Sequence, residues 1–63
     1  IGRGCVIQKG AVVKNSVLLP GVFIGENVYV ENQVIDKNAK LIHAKEIIAP
    51  SMKPGYIRRY DTI

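Results

Sequence analysis

The chain has 63 residues, a formal net charge of +4 and 48% hydrophobic residues, which indicates one small globular domain. Its single cysteine and single histidine exclude an internal disulfide framework and any metal site that needs several of these ligands. No stretch approaches the roughly 20 apolar residues of a membrane-spanning helix, and the basic residues are scattered. We therefore expect neither a membrane nor a nucleic acid as partner. The chain begins with Ile1 and not with Met, and we interpret it as a piece of a longer protein.

Aliphatic residues recur along the chain with a period of 17 residues, in copies that begin at Ile1, Leu18 and Ile35. They occupy the first, seventh and thirteenth places of each copy, so their spacing is 6, 6 and 5. A helix would give spacings of 3 and 4, and a simple strand would give 2. The predicted structural core consists of nine positions: Ile1, Ile7, Val13, Leu18, Ile24, Val30, Ile35, Leu41 and Ile47.

Glycine or asparagine follows these aliphatic residues at regular points, where we expect the chain to turn. Both residue types enter the left-handed backbone region at low cost. The predicted turn residues are Gly4, Gly10, Asn15, Gly21, Asn27, Asn32 and Asn38. Each extended piece between two turns is too short to be an independent strand, so it must pair with the piece one coil above or below. The pattern thus predicts an all-β chain of about three stacked triangular coils.

Alternation along each extended piece predicts which side chains face the axis and which face outward. A mostly small residue after each turn and the aliphatic residue two places later face inward. The outward set is Val6, Val12, Val17, Phe23, Tyr29 and Val34. These side chains either reflect plain β propensity or form an apolar contact surface, for which we single out Phe23 and Tyr29.

The pattern weakens in the third copy, which sets the predicted domain limits. Lys45 stands where a small inward residue belongs, and Pro50 cannot donate a ladder hydrogen bond. We therefore predict a β-helix over residues 1–48 and a C-terminal tail over 49–63, with a turn at Lys53–Gly55 leading into a last short strand. Because both ends of such a short stack expose core side chains, we expect self-association or capping by the tail.

The segment Ile24–Tyr29 fits the hexapeptide repeat of left-handed β-helix proteins: an aliphatic residue, Gly or an acidic residue, two variable residues and a small one. This resemblance covers roughly residues 1–41. It implies left-handed coiling, which periodicity alone does not show and which departs from the usual right-handed crossover.

A narrower resemblance rests on the shortened third side of the repeat. The segments Asn15–Gly21, Ile24–Asn27 and Val34–Asn38 look like the C-terminal β-helix of bacterial glucose-1-phosphate adenylyltransferases. Asp36 and Lys37, with a tail ending in Ile57–Arg59, are most similar to the regulatory-type subunit of glycogen biosynthesis.

That resemblance implies a cytoplasmic protein whose upstream nucleotidyltransferase domain uses Mg and ATP, within a homo- or hetero-oligomer that is a tetramer in the family. This chain would then be a non-catalytic assembly and regulatory module. We accordingly expect no catalytic residue, cofactor site or metal site in it.

Three further features of the sequence give weaker predictions. Lys53, Arg58 and Arg59, with Tyr56 nearby, form either an anion site for a phosphorylated effector or a solvated basic tail. His43 is favoured as a surface residue, although hexapeptide acyltransferases resemble this fold and use a histidine as general base. A fragment of such an acyltransferase, or of another sugar-nucleotide transferase, is therefore the alternative function. Cys5 is expected to be a buried small hydrophobe.

Overall fold

The computed structural model describes residues 3–63, and these form nine short strands and no helix. Consequently, none of the described residues belongs to a helix long enough to cross a membrane. The strands are β1 (Val6–Ile7), β2 (Val12–Lys14), β3 (Val17–Leu18), β4 (Phe23–Ile24), β5 (Tyr29–Glu31), β6 (Gln33–Ile35), β7 (Lys40–Leu41), β8 (Glu46–Ile48) and β9 (Gly55–Ile57). We call each successive set of three strands a rung.

The strands pair one rung with the next and build three parallel sheets, which together make a parallel β-helix. The sheet orders are β1-β4-β7, β2-β5-β8 and β3-β6-β9. Ile7, Ile24 and Leu41 are register partners in the first sheet, so the predicted column of aliphatic residues is confirmed. Val13, Val30 and Ile47 form the equivalent column in the second sheet.

Burial along these columns depends on position in the stack. Ile24, Val30 and Ile35 in the middle rung are fully buried. Ile7 shares the same inward column but is 39% exposed, because no described strand lies over the first rung. The core positions Val13 and Ile47 are half-buried and pack against the central cluster, and Leu18 and Leu41 are buried. Ile1 lies outside the described residues.

The third sheet ends at β9, where Ile57 departs from the 17-residue period. Ile57 pairs with Ile35 and is buried, whereas Met52, which stands 17 places after Ile35, is 96% exposed. Five additional residues therefore precede β9. The last short strand predicted after the Lys53–Gly55 turn is present, and it places the tail on the stack beyond residue 48.

The loop formed by residues 49–54 leaves the stack without disturbing the ladder, because Asn32 holds both of its ends. The Asn32 side-chain amide donates a hydrogen bond to the Ala49 carbonyl oxygen at 2.7 Å. The Gly55 N–H donates to the Asn32 carbonyl oxygen at 3.0 Å. Asn32 is itself buried, and its backbone occupies the left-handed region at φ 58°.

The last residues cap the lower end of the helix. Thr62 forms a parallel bridge with Lys40, and the Ile63 N–H donates to the Lys40 carbonyl oxygen at 2.9 Å. Ile63 packs against the core cluster, and Leu41 in the rung above is fully buried. The tail therefore covers the end of the first sheet, in line with the capping hypothesis, while Ile48 at the end of the second sheet and Ile7 in the first rung stay exposed.

Glycine and asparagine occupy the left-handed turns, as predicted from their spacing. Gly4 and Gly21 have φ values of 73° and 79°, and Asn38 has 59°. A Cβ atom on Gly21 would overlap the Asn38 side-chain oxygen of the next rung, whereas one on Gly4 would meet no atom within 4 Å. Gly21 is thus favoured by its backbone conformation, and a side chain there would also have to displace that of Asn38.

Gly21→Ala is expected to lower the free energy of unfolding more than Gly4→Ala does. Both changes carry the left-handed backbone cost of about 1 to 2 kcal/mol, and only the first adds an overlap with Asn38. Urea unfolding followed by far-ultraviolet circular dichroism measures both. Equal losses would contradict the close-packing role of Gly21.

Ile63→Ala is expected to destabilise the chain by about 1 to 2 kcal/mol, because it removes half-buried apolar contacts from the cap. Thr62→Ala is the matched control, since Thr62 is exposed and its ladder contact comes from the backbone. The measurement is again the urea midpoint. A loss no larger than that of the control would show that Ile63 does not cap the stack.

Candidate functional site

An open groove of about 430 Å³ lies on the outer face of the first sheet and the corner that follows it. Its lining combines one aromatic ring, one aliphatic side chain, one amide and two opposite charges. The lining residues are Gln8, Phe23, Gly25, Glu26, Ile42 and Lys45.

The groove follows from the ladder register. Gln8, Gly25 and Ile42 come directly after the paired residues Ile7, Ile24 and Leu41, so they stack at equivalent positions in successive rungs. The middle position has no side chain, and a Cβ atom on Gly25 would lie 2.9 Å from the Leu41 carbonyl oxygen. Close packing therefore requires glycine there, and its missing side chain forms the floor of the groove.

The walls of the groove are exposed enough to contact another molecule. Ile42 is 40% exposed and Phe23 is half-buried. Glu26 and Lys45 are both exposed, and they supply one negative and one positive charge. Lys45 breaks the inward pattern of its column, and the structure shows it lining this outer surface.

The two predicted contact residues lie on different sheets. Phe23 belongs to β4 and lines the groove, whereas Tyr29 belongs to β5 in the second sheet. The Tyr29 hydroxyl donates to a Glu31 carboxylate oxygen at 2.8 Å, and the Lys14 ammonium lies 5.7 Å from its ring centroid. The hydrogen bond to Glu31 is the main cause that raises the pKa of Tyr29. Tyr29 is thus engaged within its own sheet.

A second polar cluster joins the second rung to the third. The Tyr56 hydroxyl donates to one Asp36 carboxylate oxygen, and the Lys37 N–H donates to the other at 2.7 Å. The Tyr56 bond, followed by that backbone bond and by the positive charges of Arg59 and Lys37, lowers the pKa of Asp36. The same bond raises the pKa of Tyr56.

The three residues of the predicted anion site flank β9. Arg58 and Arg59 directly follow β9, while Lys53 precedes this strand, so the three side chains start from opposite ends of it. The positive charge of Arg59 also contributes to the lowered pKa of Asp36. Lys37, which is not one of the three predicted residues, donates its backbone N–H to this carboxylate.

Neither His43 nor Cys5 lines the groove, and each donates one hydrogen bond to a backbone carbonyl oxygen. His43 is exposed, its backbone N–H donates to the Ile63 carbonyl oxygen at 2.8 Å, and it does not line the groove. The Cys5 thiol is half-buried, donates to the Leu19 carbonyl oxygen at 3.3 Å and packs against the core cluster.

Sequence reasoning did not identify the groove as a site. The signal was present, because Gln8, Gly25 and Ile42 share one place in the 17-residue repeat and only the middle one lacks a side chain. Glu26 and Lys45, by contrast, occupy different places in the repeat, so only the three-dimensional structure shows that both line this groove.

Comparison with known proteins gives two matches. A family described as "GlmU-like, C-terminal hexapeptide" matches residues 1–52. The chain is also similar to the glucose-1-phosphate adenylyltransferase of Corynebacterium jeikeium (strain K411), with 40% identity over 48 residues. That alignment covers 76% of this chain but only 12% of the relative's length. No solved structure matches the chain significantly.

Tyr56→Phe is expected to raise the pKa of Asp36 toward its ordinary value of 3.8, because it removes the main hydrogen bond to the ionised carboxylate. Folding lowers this pKa, so ionised Asp36 stabilises the chain above pH 3.8, and the contribution is lost as the pH falls through the folded-state value. Tyr56, whose pKa is raised, adds stability below pH 10 that is lost as the pH rises through its folded-state value.

Carboxyl carbon chemical shifts, titrated by nuclear magnetic resonance, measure the Asp36 pKa directly. Tyr60→Phe is the matched control, since Tyr60 is an exposed tyrosine on the same tail. An Asp36 pKa that Tyr56→Phe leaves unchanged would refute the role of the hydroxyl.

Proposed function

Because the chain belongs to the GlmU-like C-terminal hexapeptide family, we propose that it is the C-terminal assembly domain of a glucose-1-phosphate adenylyltransferase. The observation that carries this proposal is the 40% identity to the Corynebacterium jeikeium enzyme over 48 residues. The parent would transfer the adenylyl group of ATP to glucose 1-phosphate and so make ADP-glucose for glycogen synthesis in the cytoplasm. An upstream nucleotidyltransferase domain would perform that reaction with Mg.

The architecture suits a module that positions other domains. Each rung is tied to its neighbour by parallel backbone hydrogen bonds on all three sheets, and the middle-rung aliphatic residues are fully buried. Such a stack transmits force and displacement without internal rearrangement, since its core is close-packed. Its outward side chains stand in columns at a spacing of roughly 4.8 Å, which makes a regular surface for neighbouring domains.

The first-rung end offers the upstream domain a contact surface. Ile7 faces the axis but is 39% exposed, and Val13 beside it is half-buried. Covering these side chains would extend the column that Ile24 and Leu41 continue below. We propose that the upstream part of the protein packs on this end, and that effector binding elsewhere is transmitted through the stack to the rest of an oligomer.

The longer protein that contains this chain is expected to form ADP-glucose and pyrophosphate from ATP and glucose 1-phosphate in the presence of Mg. Chromatography with mass spectrometry detects the sugar nucleotide. Parallel assays with other nucleoside triphosphates and with an acyl-coenzyme A donor distinguish another sugar-nucleotide transferase and an acyltransferase. No ADP-glucose, from the protein alone or with any subunit that copurifies with it, would contradict the parent assignment.

The substitution Ile24→Asp in the same longer protein tests the assembly role, because it places a charge in the fully buried column. Loss of the native oligomer in size-exclusion chromatography is expected, whereas the conservative Ile24→Val should retain it. An oligomer that survives Ile24→Asp would show that assembly does not depend on this domain.

A further inference from the structure

The last rung has two registers open to it on the third sheet, and we propose that Pro50 excludes one of them. In the structure, Gly55–Ile57 pairs with Gln33–Ile35. If the period of 17 continued, residues 50–52 would occupy these places, and the rung would start five residues earlier along the chain. We call this second pairing the competing register. The inference concerns how the chain selects its fold, and it does not depend on the proposed function.

Two features of the chain favour the competing register. Met52 would take the place of Ile57 and become buried, whereas it is 96% exposed in the structure. Gly55 would take the place of Tyr60, whose backbone lies in the left-handed region at φ 61°. This conformation strains a bulky residue and does not strain glycine. The observed register therefore needs other features that exclude the alternative.

A backbone hydrogen bond is the first obstacle to the competing register. In the structure, the Gly55 N–H donates to the Asn32 carbonyl oxygen at 3.0 Å, and Asn32 is buried. The residue that would take the place of Gly55 is Pro50, and proline has no backbone N–H. The carbonyl oxygen would lose this donor, and an unpaired buried acceptor is costly.

Space is the second obstacle, because the buried side-chain amide of Gln33 lies against the Gly55 backbone. A Cβ atom on Gly55 would overlap Oε1 of Gln33 and lie 2.8 Å from its Cδ and 2.9 Å from its Nε2. The whole amide group would have to move, and it also donates to the Glu31 carbonyl oxygen at 3.4 Å. Pro50 carries a Cβ atom, so it would displace this amide in the competing register.

The third obstacle lies in the cap. In the competing register, Arg58 would take the place of Ile63, which packs against the core cluster. An arginine there would bring a charge to a place that an aliphatic side chain occupies. Because a long arginine side chain can turn its charged end toward water, this obstacle is weaker than the two at Pro50. The test therefore changes Pro50 first and Arg58 second.

Disulfide competition measures the register in the longer protein that contains this chain. Cys5→Ala removes the natural thiol of the chain, and Val34→Cys, Ser51→Cys and Tyr56→Cys introduce three new ones. Register partners on neighbouring strands are roughly 4.8 Å apart, which lies within the reach of a disulfide. In a glutathione redox buffer, the thiol at position 34 pairs with position 56 in the observed register and with position 51 in the competing register. Mass spectrometry of proteolytic peptides measures the ratio of these two disulfides.

With Pro50 unchanged, the disulfide between positions 34 and 56 should predominate. Pro50→Gly restores the N–H and removes the Cβ atom, so it should raise the ratio of the 34–51 to the 34–56 disulfide about tenfold. Adding Arg58→Ile should raise the ratio further. Pro54→Gly is the matched control, because it loosens the same exposed loop without restoring a donor to Asn32, and it should leave the ratio unchanged.

Met52 provides a second readout that needs no added cysteine. Hydrogen peroxide oxidises exposed methionine to the sulfoxide, and the competing register buries Met52. Its oxidation should therefore be slower in the variant with both Pro50→Gly and Arg58→Ile than in the unchanged protein or in Pro54→Gly. The same peptide mass spectrometry follows this reaction.

Four outcomes would each overturn the proposal. These are a 34–51 disulfide that predominates with Pro50 present, a ratio that Pro50→Gly leaves unchanged, an equal rise in Pro54→Gly, and Met52 oxidation that the double variant does not slow. Circular dichroism verifies that the variants fold. If the double variant does not fold, Pro50→Gly alone decides the question, because it changes only an exposed loop residue.

Discussion

Parallel pairing between residues 17 positions apart is the constraint on which the rest of this structure depends. Once Ile7, Ile24 and Leu41 are register partners, every neighbouring residue is stacked on its own counterpart. Side-chain alternation then assigns each column to the axis or to the surface. Columns on the axis are mostly apolar, because a polar group there must find a hydrogen-bond partner, as the buried Gln33 amide does with the Glu31 carbonyl oxygen. The hydrogen-bonded ladder and the aliphatic columns therefore require each other.

The same constraint explains how the stack ends. A ladder leaves unpaired backbone groups and exposed core side chains at each end unless another segment covers them. At the lower end, five additional residues move Ile57 into the third sheet and bring Ile63 under the first. Asn32 accommodates this insertion, because its hydrogen bonds hold both ends of the loop formed by residues 49–54. At the first rung, Ile7 stays partly exposed, which is the physical basis for placing the upstream domain there.

A groove forms on this surface where an outward column is interrupted. Gly25 interrupts an outward column, and close packing against the Leu41 carbonyl oxygen keeps it a glycine. The gap becomes a groove whose charges come from turns in two different rungs. Asp36 and Tyr56 show the opposite case, in which side chains of successive rungs satisfy each other and shift each other's pKa values.

The 63-residue sequence by itself determined the all-β class, the parallel stacking, the membership of the columns and the glycine and asparagine turns. These features depend on the spacing of aliphatic residues and on the backbone preferences of glycine and asparagine, and both can be read from a single sequence. Only the tertiary structure decided that Ile57 enters the core, that Ile63 caps it, and that Glu26 and Lys45 share one groove with Phe23. After an insertion, the register of the next strand depends on which strand has a free edge to pair with. Residues that are neighbours at a corner of the surface come from different rungs. Spacing along the chain therefore predicts neither the register after the insertion nor these surface neighbours.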